Sequence, residues 1–566
     1  MAEKMSYADK PWLKSYKLGP YKLPETLEPY PKKPLYQILD DSATRYPDSV
    51  AVNFLGKQMK YQELKLNADR LATALADLGV RKGDKVVVVL PNCPQFIISE
   101  FGILKTGAVI IPCSIMLKAP HLEYEMSESG AETVICSEDA LDLVNSVKDK
   151  TKVKNTIVVP RKDYTLGEPE APKDMSGALQ FWDLIEKYEP KPPEVQIDPM
   201  EDLAILAFTG GATGIPKGVM LTHFNVLTNL LQGLAWLMGP LEPGIRGKSS
   251  TLLATPLFHR MGEMVMEAGI FWALQILLLA DPRDTDSLVQ YLKEYRPFMT
   301  MLVPTQLMRL AERKIGRMPI QIMTGAAPLP RETAETIKRD LQMPVSEGYG
   351  LTETTAATHL NVSAFSKITG FMATEKLSIG IPVPDTEVKL VDPDTGEEVP
   401  FGEAGEIWIR GPQVMKGYWP TPGSGLVNGW LATGDIARMD EDGYFYILDR
   451  VKDMANVSGL KVYTTEIDDV LFKHPAVAMA VAIGIPDPER PGSERIKAFI
   501  KLKDGYEGKV TADEIIEFCR DKVEPYARPK SVEFRDDLPE TVTLKLFKRE
   551  LREEEIKKMK ERGELK

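Results

Sequence analysis

The sequence "LAILAFTGGATGIPKGVMLTHFN" at residues 203–225 predicts a strand, a glycine-rich loop, a second strand and a helix, in that order. The apolar run before the loop is typical of a buried strand, and Val219, Met220 and Leu221 continue as a short extended run after it. Thr222 is placed to cap a helix that begins shortly after it. A Walker A loop passes directly into its helix, so this loop is instead expected to be the turn of a hairpin.

The composition of this loop is typical of phosphate binding. Glycines allow a backbone to approach phosphate oxygens closely, threonine hydroxyls can donate hydrogen bonds, and a lysine supplies positive charge. A flexible surface turn is the alternative, and the density of glycine with paired threonines favours the functional interpretation. The candidate phosphate-binding residues are Thr209, Gly210, Gly211, Thr213, Gly214 and Lys217.

The composition of the whole chain argues against several classes of protein. Its 566 residues are 43% hydrophobic, which is typical of a globular protein with more than one domain. The net charge of −12 disfavours a nucleic-acid binder, which usually carries a basic surface. The four cysteines form no C-x-x-C pair and indicate a reducing compartment, and the five histidines lack the spacing of a zinc site.

The sequence carries no signal for export or for a membrane span. The N-terminal residues are polar and interrupted by prolines, without the apolar core of a signal peptide. The longest apolar run, "GIFWALQILLLA" at residues 269–280, is too short to cross a bilayer. We therefore expect a cytoplasmic protein with no integral membrane segment.

Strand and helix patterns alternate from about Leu35 to Ala280, which indicates parallel α/β layers. "KVVVVLPN", "GAVIIPCS" and "AETVICSE" predict buried strands, and "YQELKLNADRLATALADLG" predicts an amphipathic helix. From about Val383 the alternation of apolar and polar residues predicts antiparallel β structure, forming a small barrel. From about Lys452 onward, three strand patterns and the helical stretches between them predict a smaller α+β domain that ends in a charged helix.

The segment "EGYGLTET" at residues 347–354 combines an aromatic ring, a hydroxyl and carboxylates in a glycine-rich turn. Tyr349 is suited to stacking on a base, and Thr352 to a hydrogen bond with phosphate. Glu353 is suited to Mg²⁺, which prefers oxygen ligands and usually shares them with phosphates. Taken alone, this turn is equally compatible with a plain connection between a strand and a helix.

Three later segments carry further candidates. Asp435, which follows Thr-Gly, suits ribose hydroxyls, with an ordinary Asx turn as the alternative, and Arg450 ends the next apolar strand. A glycine turn at Gly459 precedes a helix start. Lys545 lies amid apolar residues in "LPETVTLKLFKRELR", where a lone lysine is more often structural than catalytic.

Together these five segments resemble the motifs of the adenylate-forming superfamily, which includes acyl-CoA synthetases, aryl-CoA ligases, firefly-type luciferases and the adenylation domains of peptide synthetases. "TGGATGIPKGVMLTH" resembles the signature loop of that family, and "GYGLTETT", "TGD" and "DRVKD" follow at similar intervals. The resemblance extends from about Leu35 to Arg552.

The resemblance implies an α/β fold with a large N-terminal domain and a smaller, mobile α+β C-terminal domain. The large domain, residues 1–449, would hold two layered α/β subdomains plus the small β-barrel, and the small domain would span residues 450–566. Lys452 would be the hinge about which the small domain swings between the two half-reactions.

The resemblance also implies the reaction and its cofactors. A carboxylate attacks the α-phosphorus of ATP, which gives acyl-AMP and pyrophosphate, and coenzyme A then displaces AMP. The required partners are therefore a small carboxylic acid, ATP, Mg²⁺ and coenzyme A. Because ATP and the acid are both anionic, positioning and charge neutralisation carry much of the catalysis.

Carried over motif by motif, the loop residues would hold the β- and γ-phosphates of ATP. Thr352 would contact the α-phosphate, and Glu353 would bind Mg²⁺. Lys545 would bridge the acid and the α-phosphate, and Gly459 would approach the pantetheine tunnel after the swing. The residues implied at the adenine, ribose and acyl surfaces are Gly325, Ala326, Ala327, Glu347, Gly348, Tyr349, Asp435 and Arg450.

Three positions depart from the family pattern. The signature loop begins with Thr209 where serine is common, and its hydroxyl is expected to serve equally well. The final motif usually has glycine before its lysine, but Leu544 stands there, so Lys548 is the alternative to Lys545 as the catalytic lysine. Thr464 stands where proline is frequent, and we expect this change to be neutral.

The segment "TPLFHRMGEM" at residues 255–264 bears on the choice of acid. Amino-acid-activating relatives carry an aspartate here, whereas this chain has Phe258 and His259, so an amino-acid substrate is disfavoured. His259 resembles the histidine that gates the acyl pocket of such ligases, with a buried core histidine as the alternative. Arg260 or Glu263 is a candidate for reading a polar tail such as an ω-hydroxyl.

The favoured acid is aliphatic, either fatty or short and hydroxylated. An aryl-CoA ligase and a luciferase-like adenylating oxygenase share the same adenylation motifs and remain alternatives. A non-enzymatic AMP sensor would tolerate the loss of Glu353 and Lys545, yet both are present. The oligomeric state stays open, with a homodimer among the possibilities.

Overall fold

The computed structural model describes residues 6–18, 21–165, 175, 177–209, 216–236, 239–313, 315–318, 320–342, 345–363, 376–541 and 546–565. It confirms the mixed α/β fold expected from the sequence, with two large sheets, a smaller antiparallel sheet and a three-stranded sheet near the C-terminus.

The first large sheet has eight strands, and its centre is parallel. Val109–Pro112 and Thr133–Ser137 flank Lys85–Val89 in parallel, so all three predicted strands lie side by side. A hairpin adds two antiparallel connections at one side. In spatial order the strands are Gly417–Tyr418, Lys217–Thr222, Leu203–Thr209, Val109–Pro112, Lys85–Val89, Thr133–Ser137, Asn155–Val159 and Leu179–Gln180.

The second large sheet has nine strands, again parallel at the centre and antiparallel at both edges. The apolar run at residues 269–280 ends one helix, turns, and enters a strand of this sheet. In spatial order the strands are Ile381–Pro382, His359–Leu360, Val345–Tyr349, Gln321–Thr324, Met299–Leu302, Ser250–Leu253, Gln275–Leu278, Val50–Phe54 and Lys57–Lys60.

The main apolar core lies between the two large sheets. Val86 and Val88 point into this shared core, whereas Val87 and Val89 on the same strand point into a separate core on the outer face. Side chains alternate across a strand, so a continuous valine run serves both faces of a sheet that is covered on each side. The α-helices of this part are Gln37–Arg45, Tyr61–Asp77, Pro94–Lys105, Ala119–Ser129, Leu141–Lys148, Phe181–Lys187, His223–Leu230, Glu242–Ile245, Arg260–Phe271, Thr285–Tyr295, Pro304–Ala311 and Arg331–Thr336.

The predicted small barrel corresponds to a five-stranded antiparallel sheet. Its longest strand, Trp430–Met439, pairs with three others and carries a register irregularity between Ile436 and Ala437. The paired strands in the described part of the chain form an open sheet, with different partners along the two halves of the long strand. The other strands are Glu387–Val391, Gly405–Arg410, Leu426–Val427 and Phe445–Arg450.

The C-terminal part confirms the predicted α+β pattern. Three strands form its sheet, and the hairpin formed by Ala455–Val457 and Leu460–Val462 precedes them. The charged final helix, Lys548–Glu561, buries Leu551 and Met559. The remaining elements are the strands Val477–Pro486, Glu494–Leu502 and Ser531–Phe534 and the helices Thr464–Phe472 and Ala512–Phe518.

Among the described residues, none of the helices combines the length and the apolar character that crossing a membrane requires.

The N-terminal segment packs against the antiparallel sheet through an aromatic side chain. Trp12 is 1% exposed, and its ring lies 6.3 Å from that of Phe445. Its backbone passes over Gly443, where a Cβ atom would lie 2.3 Å from the Cα of Trp12. Gly443 has a φ of +82°, so the position requires glycine both for its conformation and for the close approach.

Replacing Gly443 with alanine is expected to loosen the N-terminal segment. The matched control is Gly402→Ala, because Gly402 has a φ of +88° and an added Cβ would meet nothing within 4 Å. In both variants the alanine must adopt the left-handed conformation, which costs about 1–2 kcal/mol of stability. Gly443→Ala should lose about 1–3 kcal/mol more through overpacking, measured by denaturant unfolding of the whole chain. Equal losses in the two variants would show that the contact with Trp12 contributes nothing.

Candidate active site

The hairpin predicted at residues 203–222 is present. Leu203–Thr209 and Lys217–Thr222 pair antiparallel, and Thr209 lies opposite Lys217 where the loop begins and ends. The hydroxyl of Thr222 accepts a hydrogen bond from the backbone N–H of Asn225, which caps the helix His223–Leu230. The order strand, loop, strand and helix is therefore confirmed. Gly210, Gly211, Thr213 and Gly214 lie outside the described residues.

Two predicted nucleotide segments meet at the ends of neighbouring parallel strands. Gln321–Thr324 pairs with Val345–Tyr349, and the strip that begins at Gly325 follows the first of them. A Cβ atom on Gly325 would lie 2.9 Å from the carbonyl oxygen of Gly348. Ala326 has a φ of +71°, so the chain turns sharply there before Ala327. The absence of a side chain at Gly325 thus lets the two segments touch.

The residues predicted to contact adenine and ribose form one hydrogen-bonded chain. The hydroxyl of Tyr349 donates to one carboxylate oxygen of Asp435 at 2.6 Å, and Nε of Arg450 donates to the other at 2.8 Å. Burial raises the pKa of Tyr349, so its hydroxyl stays a donor. The neighbouring Asp435 raises the pKa of Arg450. Arg450 is largely exposed at its side chain, while Asp435 is buried.

A cavity of about 300 Å³ is lined by residues of the strands that carry Tyr349 and Arg450, but Tyr349, Asp435 and Arg450 themselves do not line it. Of the predicted site residues, it is lined by Glu347, whose pKa is raised to about 7 by burial. The other charged side chains around it are Arg331, Glu335, Lys338, Lys376, Arg438, Glu466 and Asp469.

Thr352 and Glu353 lie in a short 3-10 turn directly after the tyrosine strand. The backbone carbonyl of Glu353 accepts a hydrogen bond from the N–H of Met415 at 2.8 Å. One carboxylate oxygen of Glu353 accepts from the hydroxyl of Tyr418 at 2.9 Å. The ammonium of Lys217 lies 4.8 Å from the centre of the same tyrosine ring. Tyr418 therefore contacts both the candidate metal ligand and the candidate phosphate-binding lysine.

The turn that carries Glu353 ends at Thr355, which has a φ of +69°. Nε of Arg260 donates to the carbonyl oxygen of Thr355 at 3.0 Å. The Arg260 guanidinium also binds Glu263 at 2.7 Å and Glu267 at 3.1 Å, and all three side chains are at most 2% exposed. Arg260 and Glu263, the candidates for reading a polar substrate tail, thus have charged partners inside the protein.

A further carboxyl group, that of Glu100, belongs to this buried charge cluster. It is fully buried, and both of its oxygens lack a hydrogen-bond partner in the described structure. Burial and the nearby Glu263 and Glu267 raise its pKa well above the ordinary value. Burial also raises the pKa of Glu263 to about 7. The cluster therefore favours protonated carboxyls over additional negative charge.

His259 is the N-cap of the helix Arg260–Phe271, and its Nδ1 accepts a hydrogen bond from the N–H of Met261 at 3.3 Å. The helix itself is almost fully buried. One stripe of side chains on it keeps a residual exposure of 3–8%, namely Met261, Met264, Val265 and Ala268. The residues on the opposite face of the helix are at most 1% exposed, namely Glu263, Met266, Glu267 and Ile270.

The predicted lysines of the C-terminal part differ in what the structure describes. Lys545 lies outside the described residues. Lys548 lies 2.7 Å from the carboxylate of Asp468 and donates to the hydroxyl of Thr464 at 2.7 Å. The Thr464 hydroxyl in turn donates to Asp449 at 2.9 Å, and its backbone N–H binds the same carboxylate. Thr464 is therefore not a neutral replacement for proline, which has neither donor.

Lys452 and Gly459 lie on either side of the start of the C-terminal hairpin. Lys452 is in the turn that follows the strand Phe445–Arg450. Gly459, with a φ of +85°, lies in the tight connection of the hairpin, and its N–H donates to the Asn456 side chain at 2.9 Å. Neither residue takes part in the hydrogen bonds that join Tyr349, Asp435 and Arg450.

The sequence motifs indicated neither Tyr418 nor the contact between Arg260 and Thr355. The available signal for the tyrosine was "KGYW" at residues 416–419, a short aromatic segment after glycine. Nothing in that segment indicates a partner 65 residues earlier in the chain.

Comparisons with known proteins agree with these features. Residues 39–419 match the AMP-binding enzyme family, and residues 466–545 match the AMP-binding enzyme C-terminal domain. The chain is 35% identical to a long-chain-fatty-acid–CoA ligase of Bacillus subtilis, over 97% of this chain and 98% of the relative.

Two solved structures are similar over nearly the whole chain. An anthranilate CoA ligase in complex with anthranoyl-AMP is 25% identical with a TM-score of 0.81, covering 98% of this chain and 100% of the other. An O-succinylbenzoate coenzyme A synthetase from Bacillus subtilis, in complex with ATP and magnesium ion, is 25% identical with a TM-score of 0.75. That likeness covers 92% of this chain and 100% of the other.

The buried Glu100 predicts a measurable pH effect. Its carboxyl is protonated in the folded chain over a range in which the unfolded carboxylate, with a pKa of about 4.3, is ionised. Keeping the carboxyl protonated in the folded chain while the unfolded one would be ionised lowers the free energy of unfolding. This loss is absent below the pKa of the unfolded chain and grows as the pH rises. Glu100→Gln should therefore stabilise the chain by roughly 1–3 kcal/mol at pH 8 and by much less at pH 5.

The measurement is denaturant unfolding at the two pH values. The control is Glu132→Gln, because Glu132 is an exposed carboxylate paired with Lys154. A gain in the Glu100 variant that is the same at both pH values would contradict the buried, protonated carboxyl.

Proposed function

This chain belongs to the family of AMP-binding enzymes and is an AMP-forming acid–coenzyme A ligase of that family, and we propose that its acid is an aliphatic fatty acid. The acid is activated with ATP to acyl-AMP and pyrophosphate, and the acyl group then passes to coenzyme A with release of AMP. The single observation that carries the choice of acid is the apolar stripe on the helix that His259 caps.

The nucleotide is proposed to lie along the Tyr349–Asp435–Arg450 chain. Tyr349 would lie against adenine, beside Gly325 and Gly348, whose close contact leaves room at the strand ends. Asp435 has two carboxylate oxygens, each with further acceptor capacity for ribose hydroxyls. Arg450 orients the carboxylate through its charge-assisted hydrogen bond.

The triphosphate is proposed to reach from Thr352 to the signature hairpin. Thr352 would donate to the α-phosphate, and Thr209 and Lys217, at the two ends of the loop, would contact the β- and γ-phosphates. The loop residues Gly210, Gly211, Thr213 and Gly214 would close over them. A hairpin between two strands can open to release pyrophosphate without disturbing a helix, which suits a reaction in which coenzyme A follows.

The residues present fit Mg²⁺ that arrives with ATP. In the described residues no group of three or more His, Cys, Asp or Glu side chains is placed to hold a metal. Glu353 is the carboxylate proposed to bind the ion, and Mg²⁺ is commonly bound by one or two carboxylates together with substrate phosphates. When bound, the ion neutralises phosphate charge as pyrophosphate leaves.

The acyl chain is proposed to run along Met261, Met264, Val265 and Ala268. These side chains are apolar and offer neither an ion pair to a charged tail nor a strong hydrogen bond to a hydroxylated one, while the charged groups of the same helix bind one another on its other side. Methionines adapt to chains of different shape. His259, half-buried at the start of the stripe, is proposed to gate this pocket.

Two further expectations remain predictions. The cytoplasmic location rests on the sequence alone, whereas the oligomeric state stays open, with a homodimer as one possibility. The division at residues 449 and 450, with a swing about Lys452 that brings Gly459 to the thiol, rests on the family resemblance. An aryl acid is the second candidate, because one of the similar solved structures is an anthranilate CoA ligase.

The choice of acid is tested with a panel of short, medium, long, hydroxylated and aromatic acids, assayed for pyrophosphate release and for coenzyme A thioester. We expect long aliphatic acids to have the highest kcat/KM. Ala268→Phe should lower kcat/KM for long acids at least about tenfold and spare short ones, because a bulky ring at the far end of the stripe would block the tail.

Met266→Phe is the matched control, because Met266 lies on the opposite face and is fully buried. It should lower stability without changing chain-length preference. Equal rates with aromatic and aliphatic acids would contradict the proposed substrate, and adenylation without any thioester would contradict the ligase and favour the oxygenase alternative.

The catalytic lysine is tested by separating the half-reactions. Lys545→Ala should abolish adenylation and leave thioester formation from supplied acyl-AMP largely intact. Lys548→Met should instead lower stability by about 1–3 kcal/mol, because the half-buried carboxylate of Asp468 would lose its ion-pair partner. A Lys548→Met variant that folds normally and loses only adenylation would make Lys548 the catalytic lysine.

A further inference from the structure

Tyr418 occupies a fixed position between the two charged groups proposed to bind Mg·ATP. It lies on the strand Gly417–Tyr418, which pairs antiparallel with the strand that carries Lys217. The backbone N–H of the next residue, Trp419, donates to the carbonyl of Gly218 at 2.7 Å. The tyrosine is therefore attached to the strand that leaves the signature loop.

The ring itself is closely packed. A Cβ atom on Gly425 would lie 2.3 Å from Cε2 of Tyr418, so the chain at residue 425 closes directly onto one edge of the ring. Gly425 has a φ of +81° and requires glycine for its conformation as well. Packing this tight leaves the ring little freedom to turn away from its two charged neighbours.

The hydroxyl and the face of the ring have separate partners. The hydroxyl donates to Glu353 at 2.9 Å, and the ammonium of Lys217 lies 4.8 Å from the ring centre. A cation is attracted to the negative face of an aromatic ring, and a carboxylate is attracted to a hydroxyl donor. One uncharged side chain thus satisfies a cation and an anion at different atoms.

We propose that Tyr418 is a positioning residue that keeps Lys217 and Glu353 apart and available for Mg·ATP. This inference rests on the proposed function. A flexible lysine and a carboxylate this close to one aromatic ring would pair directly if the ring were absent. Such a pair would neutralise the charge that each group offers to phosphate or to metal. The tyrosine hydroxyl holds one carboxylate oxygen of Glu353 and leaves the other for Mg²⁺, and the ring orients the Lys217 ammonium by a cation–π contact alone.

The same strand segment also orients Glu353 through its backbone. Met415 donates to the Glu353 carbonyl at 2.8 Å, so two contacts from residues 415–418 hold this one glutamate. The backbone contact does not involve the tyrosine side chain, so the hydroxyl can be removed without removing this bond.

The test measures binding as well as turnover, with Tyr418→Phe as the main variant. This variant keeps the ring face for Lys217 and removes only the hydrogen bond to Glu353. Binding of a non-hydrolysable ATP analogue is measured by calorimetry with Mg²⁺ and with EDTA. We expect affinity to fall about tenfold with Mg²⁺, the loss of one hydrogen bond to a charged group, and to stay unchanged with EDTA.

Tyr418→Leu removes both contacts. Its affinity should fall a further two- to fivefold with Mg²⁺, roughly the value of an exposed cation–π contact, and it should also fall with EDTA. In both variants the KM for Mg·ATP should rise, while the rate of thioester formation from supplied acyl-AMP should stay at the wild-type value. A purely structural role would instead lower binding equally with and without Mg²⁺.

Tyr164→Phe is the matched control, because the Tyr164 hydroxyl donates to the carboxylate of Asp139 at 3.0 Å in a different part of the chain. It should leave both affinities unchanged. If the wild-type chain does not bind the analogue at all, the proposed function fails. If it binds and Tyr418→Phe binds equally well under both conditions, only the role of Tyr418 is overturned.

Discussion

A single buried carboxylate, that of Asp435, links the parts of this molecule that must act together. It accepts hydrogen bonds from Tyr349, at the end of a strand in the second large sheet, and from Arg450, on the last strand before the C-terminal part. Asp435 and Arg450 are directly opposite each other in the antiparallel sheet, so strand register places the pair. A buried carboxylate with only one of these donors would carry an uncompensated desolvation cost.

Local patterns predicted much of the fold, because they report on neighbours in sequence. The valine run at residues 86–89 and the strand, loop, strand and helix order around the signature loop depend on side-chain periodicity and on one capping residue. The small barrel was less predictable. Alternating residues identify antiparallel strands, but whether the sheet closes into a barrel depends on how its edge strands meet. In the structure the sheet is open, and the long strand Trp430–Met439 pairs with different strands along its two halves.

The candidate site, too, was predictable from the sequence only in part. Family motifs predicted Tyr349, Asp435 and Arg450, and the structure joins all three. Tyr418 escaped prediction because its importance comes from contacts with residues 65 and about 200 positions earlier, which the sequence of its own segment does not indicate. The sequence makes Arg260 a candidate for reading the substrate tail, whereas in the structure its guanidinium binds two glutamates and a backbone carbonyl. A charged residue in a pocket motif says little about the direction in which it points.

The Thr464 contacts have a consequence for how such chains can diverge. Thr464 joins Asp449, just before the proposed hinge, to Lys548 on the final helix, and a proline there would remove both donors at once. Lys548 would then keep its ion pair with Asp468 but lose its hydrogen bond to residue 464. The final helix would no longer be connected through that residue to the strand before the proposed hinge. Positions 464 and 548 should therefore change together among relatives. A C-terminal part transplanted from a proline-bearing relative would function best with its own residue 548, even though neither position contacts substrate in the proposed mechanism.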